Sequence, residues 1–272
     1  MNKVIVILIL LIIIILITLI VLNTLKYNFN NKSNRSNRSK EYFTKYDGFE
    51  YSDKLSIEDI KNLKKGQKIM TNMLREFDRI CRKHNLKYWC IGGTLIGALR
   101  HNGWVPWDGD VDIGMLEEDY IKFKNIVDNE LSLDIEFSEP KDKPCSKLRS
   151  KKAKYIYTKW GNNWDQDKGI QIDIFIFKKN YEMSNIKGNS AICGTPDKNE
   201  RDYNDMFPLK EVLFKGFKVY VPNKYKKISK ELWGNYPPEM IPKEKRYPHE
   251  GKIDANKTCD FHYEKYPDLY KK

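Results

Sequence analysis

Three aspartates have the spacing to act together. In Asp108-Gly109-Asp110-Val111-Asp112 the acids fall at every second residue. A strand directs such residues to one side, so Asp110 and Asp112 would offer paired oxygen ligands on one face, with Asp108 beside them. Later in the chain Asp173 is the single carboxylate of the run 169–177, where Ile170, Ile172, Ile174 and Ile176 alternate with Gln171, Asp173, Phe175 and Phe177. A hard divalent cation such as Mg²⁺ takes oxygen ligands and commonly combines one or two carboxylates with substrate phosphate oxygens. Asp110, Asp112 and Asp173 are therefore read as a metal site for Mg²⁺ or Mn²⁺. A site of this kind can hold two ions roughly 3.5–4 Å apart, which stabilises the attacking and leaving oxygens in phosphoryl transfer. Asp173 is also read as a general base toward an acceptor hydroxyl. Val111, Ile113, Ile172 and Ile174 flank the acids, and carboxylates in so apolar a setting repel one another unless a cation lies among them.

A phosphate-bearing donor needs its own binding groups. The stretch 86–91 reads as a strand that ends at Gly92-Gly93, and Thr94 is placed to cap a short helix over 95–100. Two residues without a Cβ let a diphosphate approach the backbone N–H groups, and the helix start adds its dipole. Gly92, Gly93 and Thr94 are read as donor-binding residues. Arg100 is added for its bidentate fork, against the alternative that it covers its own helix; His101 is read as a loop histidine. Lys147 and Arg149, at i and i+2 of a strand, would turn two cations to one face and offset phosphate charge. With Lys151, Lys152 and Lys154 nearby, a solvated basic face is the competing account. Trp104 and Trp107 either stack on a base or fill the core. A Gly-Gly pair alone is usually a turn, and an Asp-x-Asp alone is usually a polar outer face. Their order along one chain is what favours a site.

The elements that must carry these residues are legible from period. Ile69, Met73, Phe77 and Ile80 recur at three and four over 67–84, which predicts an amphipathic helix. Glu117, Glu118 and Asp119 open a second helix carrying Tyr120, Phe123 and Ile126. Helices and strands in this order give an α+β domain of about 230 residues, long enough for one well-formed core.

The segment GGTLIGALRHNGWVPWDGDVDIGM, residues 92–115, resembles the signature of the LicD and fukutin-related family, a branch of the polymerase-β-like nucleotidyltransferase superfamily. The resemblance continues through Lys147-Leu148-Arg149, the 169–175 strand, Met206-Phe207-Pro208-Leu209, Phe217 to Pro222 and Trp233-Gly234-Asn235-Tyr236, covering roughly 67–240. It implies a nucleotidyltransferase-like mixed sheet with flanking helices. It also implies transfer of a phospho-alcohol, such as phosphocholine or ribitol phosphate, from a CDP-alcohol donor to a glycan acceptor. The sequence departs from the family pattern at Gly109, where many members carry another Asp, and at Ile176-Phe177, which replaces Pro-Leu. Neither departure removes one of the three expected ligands.

The N-terminus is read separately. Residues 4–22 are strongly apolar except for Thr18, long enough at about 1.5 Å per residue to cross a hydrocarbon core, and no A-x-A-like cleavage pattern follows. This predicts an uncleaved transmembrane anchor at 1–22, a flexible basic stalk at 23–45 and a catalytic domain at 46–272. The stalk carries Lys26, Lys32, Arg35, Arg38 and Lys40 without an acid. By the positive-inside rule it favours a cytosolic domain. Three tandem sequons beginning at Asn31, Asn34 and Asn37, a fourth at Asn256, and the resemblance favour a lumenal one in the Golgi or endoplasmic reticulum. The lumenal, type II arrangement is the expectation. The five cysteines show no C-x-x-C pair, which gives no support to structural zinc. The net charge of +12 is interleaved with acid outside the stalk and is read as a solvated surface, with no nucleic-acid partner expected. Two rivals remain open at this level: a nucleotidyltransferase acting on nucleic acid, and an inactive anchored scaffold.

Overall fold

The structure is a computed structural model and describes residues 45–139, 146–156, 169–180, 184–188 and 200–256. The expected anchor, nearly all of the stalk, Cys145, Cys193 and Cys259 lie outside these residues, as do three of the four sequons. Among the described residues no helix is long and apolar enough to cross a membrane. The chain divides into two compact units, 1–53 and 54–272. In the first, strands β1 (Lys45–Tyr46) and β2 (Phe49–Glu50) form a small antiparallel hairpin.

The second unit is a mixed α+β fold. Helix α1 runs over Ile57–Lys83, ten residues longer at its start than the apolar period suggested. A capping box explains the extension: the Asp59 N–H donates to Ser56 Oγ at 3.1 Å, and the Ser56 N–H donates to Asp59 Oδ2 at 2.9 Å. Next come β3 (Tyr88–Cys90), α2 (Gly92–His101), β4 (Val111–Leu116), α3 (Glu117–Glu130) and β5 (Ile135–Ser138). The long strands β6 (Ser146–Ile156) and β7 (Gly169–Asn180) follow, then β8 (Asn185–Gly188), β9 (Arg201–Asp202) and the short helix α4 (Tyr203–Met206). The chain continues through the hairpin β10 (Lys210–Phe214) and β11 (Phe217–Val221), helix α5 (Tyr225–Trp233) and β12 (Lys252–Asp254).

Eight strands form one sheet with the central order β12-β6-β7-β4-β3, extended by β5 against β6 and by β8 and β9 beyond β7. Its pairs are antiparallel except β4 with β7, which run parallel. The alternation in β7 explains the two faces. Ile170, Ile172, Ile174 and Ile176 are buried on one side, where Gly66 lets α1 close in: a Cβ there would lie 2.8 Å from Ile253 and 3.7 Å from Ile170. Met70, Leu74 and Phe77 of α1 are fully buried, each contributing roughly 1.5–3 kcal/mol. The opposite face begins with Gln171 and Asp173 and passes into Phe175 and Phe177, which join Trp89, Leu116, Met206, Phe207 and Ile228 in a second apolar cluster. One face of β7 therefore carries a polar end and an apolar end.

Candidate active site

Strand register assembles the chemistry. Asp112 of β4 is the direct partner of Asp173 on β7, and Asp173 is in turn the partner of Lys147 on β6. Partners in register project to the same side of a sheet, so the three form a row across three strands. Asp173 is buried and held from two sides. Lys147 Nζ donates to its Oδ1 at 2.6 Å, and Gln171 Nε2 donates to its Oδ2 at 3.1 Å. Arg149, fully buried, donates from Nη1 to Gln171 Oε1 at 2.8 Å. The basic pair on β6 is therefore not a solvated face. Only Lys151 and Lys152 of that run are exposed, while Lys154 is buried as well.

Asp108 and Asp110 arrive differently from the expectation. The strand begins at Val111, so both lie in the irregular segment that enters β4. Strand pleat does not orient them; tertiary ties do. Gln67 on α1 donates its amide to the carbonyls of Asp108 at 2.9 Å, Pro106 at 3.2 Å and Val105 at 3.4 Å, and the Tyr155 hydroxyl donates to the Gly109 carbonyl at 2.7 Å. Carboxylate oxygens of Asp110, Asp112 and Asp173 still come within 4.8 Å of one another. A second trio, Asp108, Asp110 and Glu250, meets the same limit.

The glycine pair is also placed otherwise than expected. Gly92 and Gly93 are the first residues of α2 rather than a turn before it, and Ile91 occupies the cap without a side-chain hydrogen bond. Thr94 is no cap. Its hydroxyl accepts the Asp112 N–H at 2.8 Å, while the Ile91 N–H donates to the Asp112 carbonyl at 3.2 Å, so both backbone groups of Asp112 are tied to the helix start. Gly92 has φ +52°, and a Cβ on it would lie 2.7 Å from Asp112 Oδ2. A Cβ on Gly93 would lie 2.2 Å from Asp108 Oδ2. Absence of side chains here is what lets the Asp112 and Asp108 carboxylates sit close against the Cα atoms at the helix start.

The other candidates have structural employment. Arg100 Nη1 donates to the carbonyls of Pro238 and Glu239, both at 2.7 Å, and its Nε donates to His101 Nε2 at 2.9 Å. Burial, followed by the charge of Arg100, lowers the His101 pKa to about 4, leaving a neutral ring at pH 7. Trp104 and Trp107 are buried, and Trp104 Nε1 donates to Thr71 Oγ1 at 2.9 Å. Core packing is their role.

Electrostatics supply the test of whether a cation fits. Asp108, Asp110, Asp112 and Glu250 are part-exposed but closely surrounded by protein. Burial pushes the Asp108 pKa up to about 7. Burial and then the charges of Asp108 and Asp173 push Glu250 up to about 8. Asp110 and Asp112 rise for the same reasons, burial first and neighbouring carboxylates after, with Lys147 opposing the rise at Asp112. Carboxylates packed this closely resist ionisation without added positive charge, and an all-oxygen donor set suits Mg²⁺ or Mn²⁺. The residues fit the ion.

Glu250 was missed by sequence reading. It is a single acid in the Pro248-His249-Glu250-Gly251 loop, just beyond the recognisable segments, and nothing in its local pattern sets it apart.

Residues 85–224 match the family described as LicD/FKTN/FKRP, nucleotidyltransferase domain. The chain belongs to this LicD/FKTN/FKRP family. The matched span takes in α2, β4, β6 and β7, and so all three aspartates of the expected metal site. Glu250 falls outside it. Among curated relatives, the chain is similar to the lipopolysaccharide cholinephosphotransferase LicD of Haemophilus influenzae, 39% identical over 24% of each chain. It is similar to human ribitol 5-phosphate transferase FKRP at 27% identity, over 55% of this chain and 28% of the relative. An uncharacterized protein of Rickettsia typhi is 29% identical over 55% of this chain and 40% of its own length. The chain thus spans less than half the length of each of these relatives.

Proposed function

We propose that this chain is a membrane-anchored, metal-dependent phosphotransferase that moves a phospho-alcohol, phosphocholine-like or ribitol-phosphate-like, from a CDP donor to a glycan hydroxyl. The observation that carries this reading is the register pairing of Asp112 with Asp173 beside the uncapped helix start at Gly92-Gly93. It places a pair of oxygen ligands next to backbone donors able to receive a diphosphate. The names of the LicD and FKRP relatives, one a cholinephosphotransferase and one a ribitol 5-phosphate transferase, support a phosphorylated alcohol as the group moved.

In this reading Asp110, Asp112 and Asp173 hold Mg²⁺ or Mn²⁺, which when bound supplies Lewis-acid stabilisation of charge on the diphosphate. Gly92 and Gly93 leave backbone N–H groups open to the donor phosphates. Thr94 fixes Asp112 through its backbone. Lys147 and Gln171 hold the Asp173 carboxylate in one orientation, and a carboxylate with about four lone-pair sites retains capacity for the proton of an acceptor hydroxyl. The reading takes Asp173 as that base. Arg149 braces Gln171. Arg100, bonded to the 238–239 carbonyls, is assigned to holding that segment rather than to donor binding.

In this reading the apolar run 4–22 anchors the chain in a membrane, and the sequons support a lumenal site. The deciding experiment incubates the purified chain with CDP-alcohols labelled on the alcohol-side phosphate, with Mg²⁺ or Mn²⁺. Label is expected on the glycan, with CMP released unlabelled. Attachment of CMP to the acceptor, or equal use of ATP and UTP, would instead mark a conventional nucleotidyltransferase.

A further inference from the structure

We propose that Asp108, Asp110 and Glu250 form a second divalent-cation site, which shares Asp110 with the first and rests on the reading of that first site as a metal centre. Three features support it. Ligand oxygens from the three residues lie within 4.8 Å of one another, a spacing that those of Asp110, Asp112 and Asp173 also meet. Glu250 Oε2 is buried and has no hydrogen-bond partner among the described residues. A buried carboxylate oxygen left without a donor is unfavourable, and a cation is the partner that removes this cost and the repulsion from Asp108 and Asp110 together.

The third feature is how the fold delivers Glu250. It lies two residues before β12, whose pairing with β6 sets Ile253 opposite Tyr155. Tyr155 in turn holds the Gly109 carbonyl, between the two aspartates of the trio. Arg246, stacked over Trp107 at 5.0 Å and donating to the Ile241 carbonyl at 2.8 Å, fixes the approach. Gly109 leaves the room: a Cβ there would lie 2.4 Å from Glu250 Oε2 and 2.8 Å from Pro248 Cβ. The loop, the strand and the glycine converge on one oxygen.

The test titrates the purified full-length chain with Mn²⁺ and follows free Mn²⁺ by electron paramagnetic resonance. Wild-type chain is expected to take up a second ion, whose affinity falls at least ~10-fold in Glu250→Gln, while the first ion is retained. Gly109→Ala, which crowds Glu250 out by a different route, is expected to give the same selective loss and carries the test if Glu250→Gln does not fold. Melting in EDTA is the control: Glu250→Gln should be at least as stable as wild type, because it removes a buried charge. Two ions bound with unchanged affinity in both variants would overturn the second site, and so would a single wild-type ion that neither variant disturbs. Absence of any bound Mn²⁺ in wild type would overturn the first site as well, and with it the proposed function.

Discussion

Lys147 and Asp173 face each other across β6 and β7, with Nζ 2.6 Å from Oδ1 and both side chains buried. Removing one member of a buried ion pair leaves the other uncompensated, at a cost of about 3–5 kcal/mol. Lys147→Met is therefore expected to lose stability of that order in EDTA by urea denaturation. Saturating Mn²⁺ should recover part of it, since Asp173 then has another cation. An unchanged denaturation midpoint would mean that the pair does not hold Asp173.

Asp110→Asn and Asp112→Asn keep the size of each side chain but remove its charge. Because burial and neighbouring acids raise the pKa of both groups, each variant should melt no lower than wild type in EDTA. Each should lose transfer activity by more than ~100-fold, beyond the 10–100-fold typical of groups that only support ligands. Full activity in either variant, or activity undiminished by EDTA, would sink the metal assignment.

The pH dependence of the metal-free chain has a definite sign. Asp108 rises from 3.8 to about 7 and Glu250 from 4.5 to about 8, so the folded state binds these protons more tightly than the unfolded state. Stability from these groups is complete below the unfolded values and is lost as pH rises through the folded ones. The EDTA-treated chain should melt lower at pH 8.5 than at pH 5.5, and Mn²⁺ should raise the melting temperature more at the higher pH. A flat or rising melting temperature over that window in EDTA would contradict the crowded-carboxylate picture.

Gly93→Ala and Gly97→Ala separate site from scaffold. A Cβ on Gly93 meets the Asp108 carboxylate at 2.2 Å, the end of a side chain, so the variant is expected to fold and to bind Mn²⁺ more weakly. A Cβ on Gly97 meets the Gly103 carbonyl at 2.2 Å and the Val105 N at 2.9 Å, which are backbone. Overpacking there should cost about 1–3 kcal/mol or more. The check is thermal melting for both variants alongside Mn²⁺ titration; the reverse ranking of their stabilities would show that Asp108 cannot yield.

Topology is decided by glycosidase treatment of the membrane-expressed protein. A mobility shift is expected from sequons at Asn31, Asn34 and Asn37. No shift, together with cleavage of the domain by protease added from the cytosolic side, would reverse the orientation.

What the sequence by itself determined follows from periods confined to a few neighbouring residues. The isoleucine alternation made β7 legible and put Asp173 on its second face. The acids at 117–119 marked the start of α3, which begins at Glu117. Apolar spacing found most of α1, and the glycine pair and the aspartates were legible as a set of types in order. Only the tertiary structure decided how those types meet, because side-chain period says nothing about which strand lies beside which. The register of Asp112, Asp173 and Lys147 is a property of three separate strands. Burial turned Arg149 from a candidate surface cation into the brace of Gln171. Long-range ties from Gln67 and Tyr155 replaced the strand expected at Asp108 and Asp110, and α2 opens on two glycines where Asp112 and Asp108 fill the space that side chains would need. Glu250 had no local signal at all. Its place depends on β12 pairing with β6 about a hundred residues away in the chain, a contact made by folding and written in no short stretch of sequence.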